Sequence, residues 1–165
     1  MRKIAVFETT LGKFEVELDA DKAPVTVENF RSYVKSGHYD GTVFHRVIPT
    51  YMIQGGGFTK EGVQKSVRLP IKLESNNSLK NTAGTIAMAR TNAPDSATSQ
   101  FFINVKDNPF LDYSPGNPGY AVFGRVISGM EVVETIRALN TSSRGQFANW
   151  PVEDVVIVKA YLNPV

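Results

Sequence analysis

The 165-residue sequence predicts a mainly β fold, a closed eight-stranded antiparallel β-barrel capped by two α-helices. Three observations point there. Short runs rich in Val, Ile, Phe and Thr recur along the chain, bounded by Gly, Pro, Asn and Asp. Only two stretches carry helical spacing. The strands do not alternate regularly with helices, as a parallel sheet would require, so an antiparallel barrel with helices over its open ends is the arrangement left.

The first two runs, "KIAVFETT" and "GKFEVELD", form a hairpin around Leu11-Gly12. In the second, Phe14, Val16 and Leu18 alternate with Lys13, Glu15, Glu17 and Asp19, the period of a half-buried strand. "APVTVENFRSYVKSG" then changes to helical spacing: Pro24 suits a first turn, Val27, Phe30 and Val34 share a face, and Gly37 supplies the stop. "FHRVIPTYMIQGG" reads as two short strands turned at Pro49, within strands at 42–48 and 51–55. Further strands are expected at 85–90, 99–105, 120–126 and 154–162. A second helix covers "GMEVVETIRAL", with Val132, Val133, Ile136 and Leu139 on one side. Two connections are long, 57–84 and 106–119, and loops of that length are usually functional or disordered. The second places Phe110 and Leu111 among turn-forming residues, where they need the domain or a ligand to pack against.

Length fits one domain, residues 1–165, burying roughly 70% of the unfolded surface without staples. There is no cysteine, so no disulfide framework or thiol chemistry, and only His38 and His45 provide imidazole. Neither a metal nor another cofactor is called for. The formal charge is +2, from 18 basic and 16 acidic residues mixed along the chain. Lys65, Arg68, Lys72 and Lys80 are spread over a polar loop and read as a solvated face, so no nucleic-acid partner is expected. No run approaches the ~18 apolar residues of a membrane span. "MRKIAVFETT" lacks the pattern of a signal peptide, which places the chain in the cytoplasm, although a trimmed periplasmic form would read the same.

Covalent and acid–base catalysis find little support. There is no thiol and no G-x-S-x-G elbow, and His45, among apolar neighbours, reads as a satisfied structural histidine. Gly55-Gly56-Gly57 lacks the G-K-[ST] of a phosphate loop and reads as close backbone packing or a bulge. What stands out is Arg46, a permanent charge inside the apolar strand pair Val43–Ile53, with Gln54 beside it. Arginine is rarely buried without a partner. The side chain therefore either snorkels to a rim or does chemical work. An arginine, some amides and an apolar pocket suit a reaction that makes no covalent bond, such as rotation about a prolyl peptide bond.

"FHRVIPTYMIQGG", "GTIAMAR" (84–90), "SQFFINV" (99–105), "NPFLD" (108–112) and "YAVFGRV" (120–126) together resemble the cyclophilin-type peptidyl-prolyl isomerases, in the same order and over nearly the whole chain. "MIQGGGFT", "PIKLESNNSLKNTAGTIAMAR" and "SATSQFFINV" point to the bacterial branch. The resemblance implies the barrel already read from the strands and puts the site on its outer face. It implies Arg46 as the catalytic arginine and Gln54 as the glutamine that steadies it. Tyr51 and Met52 would line the proline pocket, with Phe102 as its floor and Leu111 as its wall. Gln100 and Ala89 would lie along the peptide groove. Phe110 stands where many eukaryotic members have tryptophan, and Tyr120 where they have histidine. Arg90 and Thr91 replace part of the eukaryotic A-N-A, so the clamp on the substrate backbone differs in detail, and Tyr51 adds a hydroxyl to an apolar pocket edge.

The implied partners are proline-containing peptides and unfolded protein clients, with weak cyclosporin binding; the protein is expected to act as a monomer and folding helper. A non-catalytic proline-peptide binding module is the alternative, and retention of Arg46, Gln54 and Phe102 argues against it. A carrier barrel would need a hollow interior, which the alternating large apolar residues would fill.

Overall fold

The computed structural model describes residues 3–163. Eight strands form one antiparallel sheet: β1 (Ile4–Thr9), β2 (Gly12–Leu18), β3 (Arg46–Ile48), β4 (Met52–Gly55), β5 (Thr85–Met88), β6 (Phe101–Asn104), β7 (Val122–Ser128) and β10 (Ile157–Asn163). Their spatial order is β10-β1-β2-β7-β5-β6-β4-β3. The sheet curls round on itself, and its seam is narrower than a full ladder. The chain just before β3 meets the chain just before β10 through a Val43–Val156 bridge. Phe44 N–H donates to Val155 O at 3.1 Å and Ile157 N–H to Thr42 O at 2.8 Å.

The two helices lie where their spacing predicts. α1 (Pro24–Lys35) buries Val27, Phe30 and Val34, and α2 (Met130–Arg137) buries Val132, Val133 and Ile136. Pro24 opens α1, and the N–H groups of Val25 and Thr26 donate to the Glu74 carboxylate at 3.2 and 2.7 Å. Glu74 comes from the long 57–84 connection and sits against the positive end of the helix dipole. Arg68 N–H also donates to Tyr33 Oη at 2.9 Å, and Lys65 Nζ to the His38 and Asp40 carbonyls at 2.7 and 2.8 Å. The long loop is thus held against α1 and the turn that follows it, and Lys65 departs from the solvated-face reading. No helix among the described residues is long and apolar enough to cross a membrane.

A second sheet is absent from the sequence reading. β8 (Thr141–Arg144) and β9 (Phe147–Pro151) make a hairpin of their own. β8, "TSSR", is wholly polar and mostly exposed, so it lacks the alternation that marks a strand packed on one face.

The barrel is filled. Phe7, Phe14, Phe30, Tyr39, Phe101 and Phe123 are fully buried, with Phe7 stacked on Phe14 at 5.1 Å and Phe30 5.0 Å from Phe123. Because strand side chains alternate faces, the same strands carry a second apolar set outward. In β6 Phe101 and Ile103 enter the main core, whereas Phe102 joins Met52, Ala87, Leu111 and Val122 in a separate cluster. That outer cluster is the floor on which the site is built.

Candidate active site

β3 and β4 pair with Arg46 opposite Gln54, and β4 and β6 with Gln54 opposite Phe102. The three side chains therefore sit in one row across the outer face. Val47 and Ile53, between them in sequence, are buried in the barrel. This is why an apolar strand pair accommodates a charge: Arg46 is on the outward phase of the alternation, and it is exposed. Its Nη1 donates to Gln54 Oε1 at 3.3 Å, and Gln54 Nε2 donates to Gln100 Oε1 at 3.0 Å. A Cβ on Gly57 would lie 2.6 Å from Gln100 Cγ, so a bare backbone there makes room for the relay. Gly56 has φ +92° and abuts Phe101 and Tyr39, which fits the close-packing role expected of the triple glycine.

Beside this relay is a depression of about 110 Å³. Arg46, Tyr51, Met52 and Gln54 line one part of it, and Ala89, Arg90, Phe102 and Tyr120 line the rest. Met52 and Phe102 are 1% and 4% exposed, a firm apolar base. Tyr120 meets Phe102 edge-on, with centroids 5.7 Å apart, and the Arg90 guanidinium lies 4.3 Å from the Tyr120 centroid. The Arg46 guanidinium is 6.0 Å from the Tyr51 centroid. Burial raises the Tyr51 hydroxyl above the usual tyrosine range, with Arg46 opposing and Tyr120 adding to the shift.

Three of the residues singled out in the sequence do not line the depression. Leu111 packs in the cluster under it, Gln100 holds Gln54 from behind, and Phe110 stands on the rim. A short 3-10 turn, Pro109–Leu111, splits the two apolar loop residues: Leu111 goes inward, while Phe110 stays 63% exposed and tilts against Tyr51 at 5.6 Å.

The sequence reading missed what holds that turn. Asn108 Nδ2 donates to Tyr51 O at 3.0 Å and to Asn104 Oδ1 at 2.8 Å; Asn104 Nδ2 donates to Asn81 Oδ1 at 3.0 Å. Asn81 N–H donates to Asp112 Oδ1 at 2.7 Å, and its Nδ2 to Leu111 O at 3.2 Å. All three asparagines are buried, so each amide needs such partners. The signal was three asparagines within and beside quoted motifs, but their separation in sequence hid the network.

His45 is structural and not part of the depression. It lies beneath the β8–β9 hairpin, 4.8 Å from Phe58, 5.7 Å from Phe147 and 6.2 Å from Trp150. Desolvation there, with Arg46 next to it, lowers its pKa to about 4. Its buried Nδ1 has no hydrogen-bond partner, so the expectation of a satisfied histidine is corrected: aromatic walls enclose the ring and supply no acceptor or donor. A roomier hollow of about 210 Å³ shares Val122 with the outer cluster and is bordered by the Glu17–Arg125 pair, Lys80 and Thr85. That hollow contains none of the residues gathered around Arg46.

An arginine over an apolar floor, with no nucleophile–base pair beside it, suits a substrate whose bonds rotate rather than break. The chain belongs to the cyclophilin-type peptidyl-prolyl cis-trans isomerase family: the family model "Cyclophilin type peptidyl-prolyl cis-trans isomerase/CLD" matches residues 4–162. It is a peptidyl-prolyl cis-trans isomerase. A peptidyl-prolyl cis-trans isomerase of Acinetobacter baylyi is 53% identical over 96% of this chain and 84% of its own length. One from Streptomyces antibioticus is 55% identical over 92% and 93%. Peptidyl-prolyl cis-trans isomerase B of Escherichia coli is 50% identical over 93% and 96%. A Cryptosporidium parvum cyclophilin, crystallised in the presence of the dipeptide Ala-Pro, superposes with a TM-score of 0.81 at 26% identity, covering 98% of this chain and 99% of the other.

Proposed function

We propose that Arg46 accelerates rotation about X-Pro bonds by stabilising the twisted imide. Amide resonance makes the uncatalysed event take tens to hundreds of seconds. At the twist the imide nitrogen becomes pyramidal and recovers a lone pair. A guanidinium N–H directed at that lone pair binds the transition state better than the planar ground state, which is what acceleration requires. The proline ring rests on Phe102 and Met52 with Leu111 packed beneath, Tyr51 flanks it, and the preceding carbonyl swings. Gln54 and Gln100 restrain Arg46, so less side-chain freedom is lost when the bond is made. No proton is transferred and no covalent intermediate forms.

The observation that carries this reading is the Arg46–Gln54 hydrogen bond at the edge of the Phe102 floor. Substrates are short proline-containing segments, a reading supported by the dipeptide present with the Cryptosporidium relative. In the cell these would be proline-containing stretches of unfolded chains, met by a monomer of one domain. Cyclosporin would bind over the same floor, weakly, because Phe110 brings no donor to the rim. The test is NMR exchange on a neutral peptide such as Ala-Ala-Pro-Ala. Turnover by the wild type that is nearly abolished in Arg46→Ala is expected; an Arg46→Ala variant with most of the activity would remove Arg46 from the mechanism.

A further inference from the structure

Two guanidinium groups border the depression, and none of the residues lining it is a carboxylate. Elsewhere on the molecule arginine is usually neutralised. Arg31, Arg125, Arg137 and Arg144 pair with Glu28, Glu17, Glu134 and Asp154 respectively. That leaves Arg46, Arg68 and Arg90 without an ion pair among the described residues, and two of those three border this one hollow.

Arg90 is held in place by neutral groups alone. Its Nε and Nη2 donate to Gly119 O at 3.1 and 2.7 Å, its Nη1 donates to Thr91 O at 2.8 Å, and its plane lies over Tyr120. These contacts fix the side chain but leave its positive charge uncompensated. They also use three of the five N–H donors of a guanidinium. A charge anchored in this way at a concave, partly apolar surface concentrates its field on whatever occupies the hollow. Arg46 adds a second charge of the same sign.

We propose that Arg90 determines specificity: with Arg46 it selects X-Pro segments that carry Glu or Asp next to the proline and discriminates against Lys or Arg there. This rests on the reading of the depression as the proline site. The attraction persists throughout the rotation, because the flanking carboxylate does not change as the bond twists. It is therefore uniform binding, which lowers KM and leaves kcat almost alone.

The test measures isomerisation by NMR exchange, without a coupling protease, on Ala-Ala-Pro-Ala and on the four variants with Glu or Lys before or after the proline. Glu should exceed Lys in kcat/KM by about 5- to 20-fold on at least one flank at low salt, a modest gain for a partly exposed charge pair. The difference should lie in KM and collapse in 1 M salt, where the Debye length is only about 3 Å. Arg90→Gln should shrink the Glu/Lys ratio severalfold, and Arg90→Lys should retain most of it, which a purely structural role of the Gly119 and Thr91 contacts would not produce. Turnover of the neutral peptide with less than twofold discrimination on both flanks overturns the proposal, and wild-type protein alone suffices to show it. So does a Glu preference that Arg90→Gln leaves unchanged. Absence of turnover on the neutral peptide would instead sink the reading of the depression itself, and this proposal with it.

Discussion

Arg46 and Phe110 occupy the same rim but are asked for different things. A charged hydrogen bond made mainly at the transition state is worth about 3–4 kcal/mol by analogy with oxyanion donors, so Arg46→Ala should lose about 100- to 1,000-fold in rate. Arg46→Lys should recover only part of that, because an ammonium cannot reproduce the planar fork. Circular dichroism should report a nearly unchanged fold in both, since the side chain is exposed. Phe110 is a matter of ligand affinity. The family resemblance gives many members an indole N–H here that donates to cyclosporin; phenylalanine keeps the apolar area without the donor. An unmade bond costs about 1–3 kcal/mol, or about 5- to 150-fold in affinity. Titrating Phe110→Trp with cyclosporin should show clearly tighter inhibition with turnover changed by less than a few fold. Equal inhibition of the two proteins would assign the weakness elsewhere, with Arg90 and Tyr120 the next positions to change. At this scale the sequence was informative because the motifs that resemble the family contain Arg46, Gln54 and Phe102, and the strand registers explain why the three share one face. It was silent on Asn81, Asn104 and Asn108, because a buried amide network depends on loops meeting in space.

The element that the sequence did not reveal governs His45. The β8–β9 hairpin brings Phe147 and Trp150 over the ring, and Trp150 is itself anchored by donating from Nε1 to Asp154 Oδ1 at 2.7 Å. The Arg144 guanidinium covers its other surroundings, 4.4 Å from the indole centroid. β9 was open to detection through "FANW", but its polar partner β8 gave no alternation to pair it with. Since desolvation is the first cause of the lowered His45 pKa, removing the indole should admit water and raise it. Trp150→Ala is expected to move the His45 titration, followed by NMR, from about 4 toward the ordinary histidine value of 6.5. The same change should cost about 3–5 kcal/mol of stability by cavity formation, readable in urea unfolding. An unmoved titration in a folded variant would mean that the hairpin is not what keeps His45 dry.

Across the whole molecule that buried imidazole sets a pH dependence of stability without one of activity. Its folded pKa of about 4 is below the unfolded 6.5, so the unfolded chain binds more protons between those values. Stability should be greatest above pH 6.5, fall as the pH drops toward 4, and level off below it as far as this group is concerned. Each pKa unit is worth 1.36 kcal/mol, which makes the loss about 2–4 kcal/mol. His38, also lowered by burial, acts in the same direction. Turnover, by contrast, should vary only weakly between pH 6 and 8, where His45 is already neutral and arginine side chains keep their charge. Thermal melts and NMR exchange on the same samples would separate the two; a steep activity change near pH 6.5 would contradict an arginine-based mechanism. The barrel was legible at this scale because the eight runs each read as a strand. The narrowness of its seam was not, since the 42–48 run is regular only over Arg46–Ile48 and reaches β10's side through one bridge.

On its side away from β2, β1 pairs with β10, with Ile4 opposite Asn163 and Phe7 opposite Ala160. During synthesis the first strand therefore waits for the last. Until residues 157–163 have left the ribosome, the β1–β2 hairpin carries a bare hydrogen-bonding edge lined by Ala5 and Phe7 side chains that have no finished interior to enter. Through most of its own synthesis the isomerase is an unfinished chain with an adhesive edge. Truncation after Pro151 should abolish cooperative unfolding rather than merely lower its midpoint, and a sharp transition in that fragment would show that the edge is completed some other way.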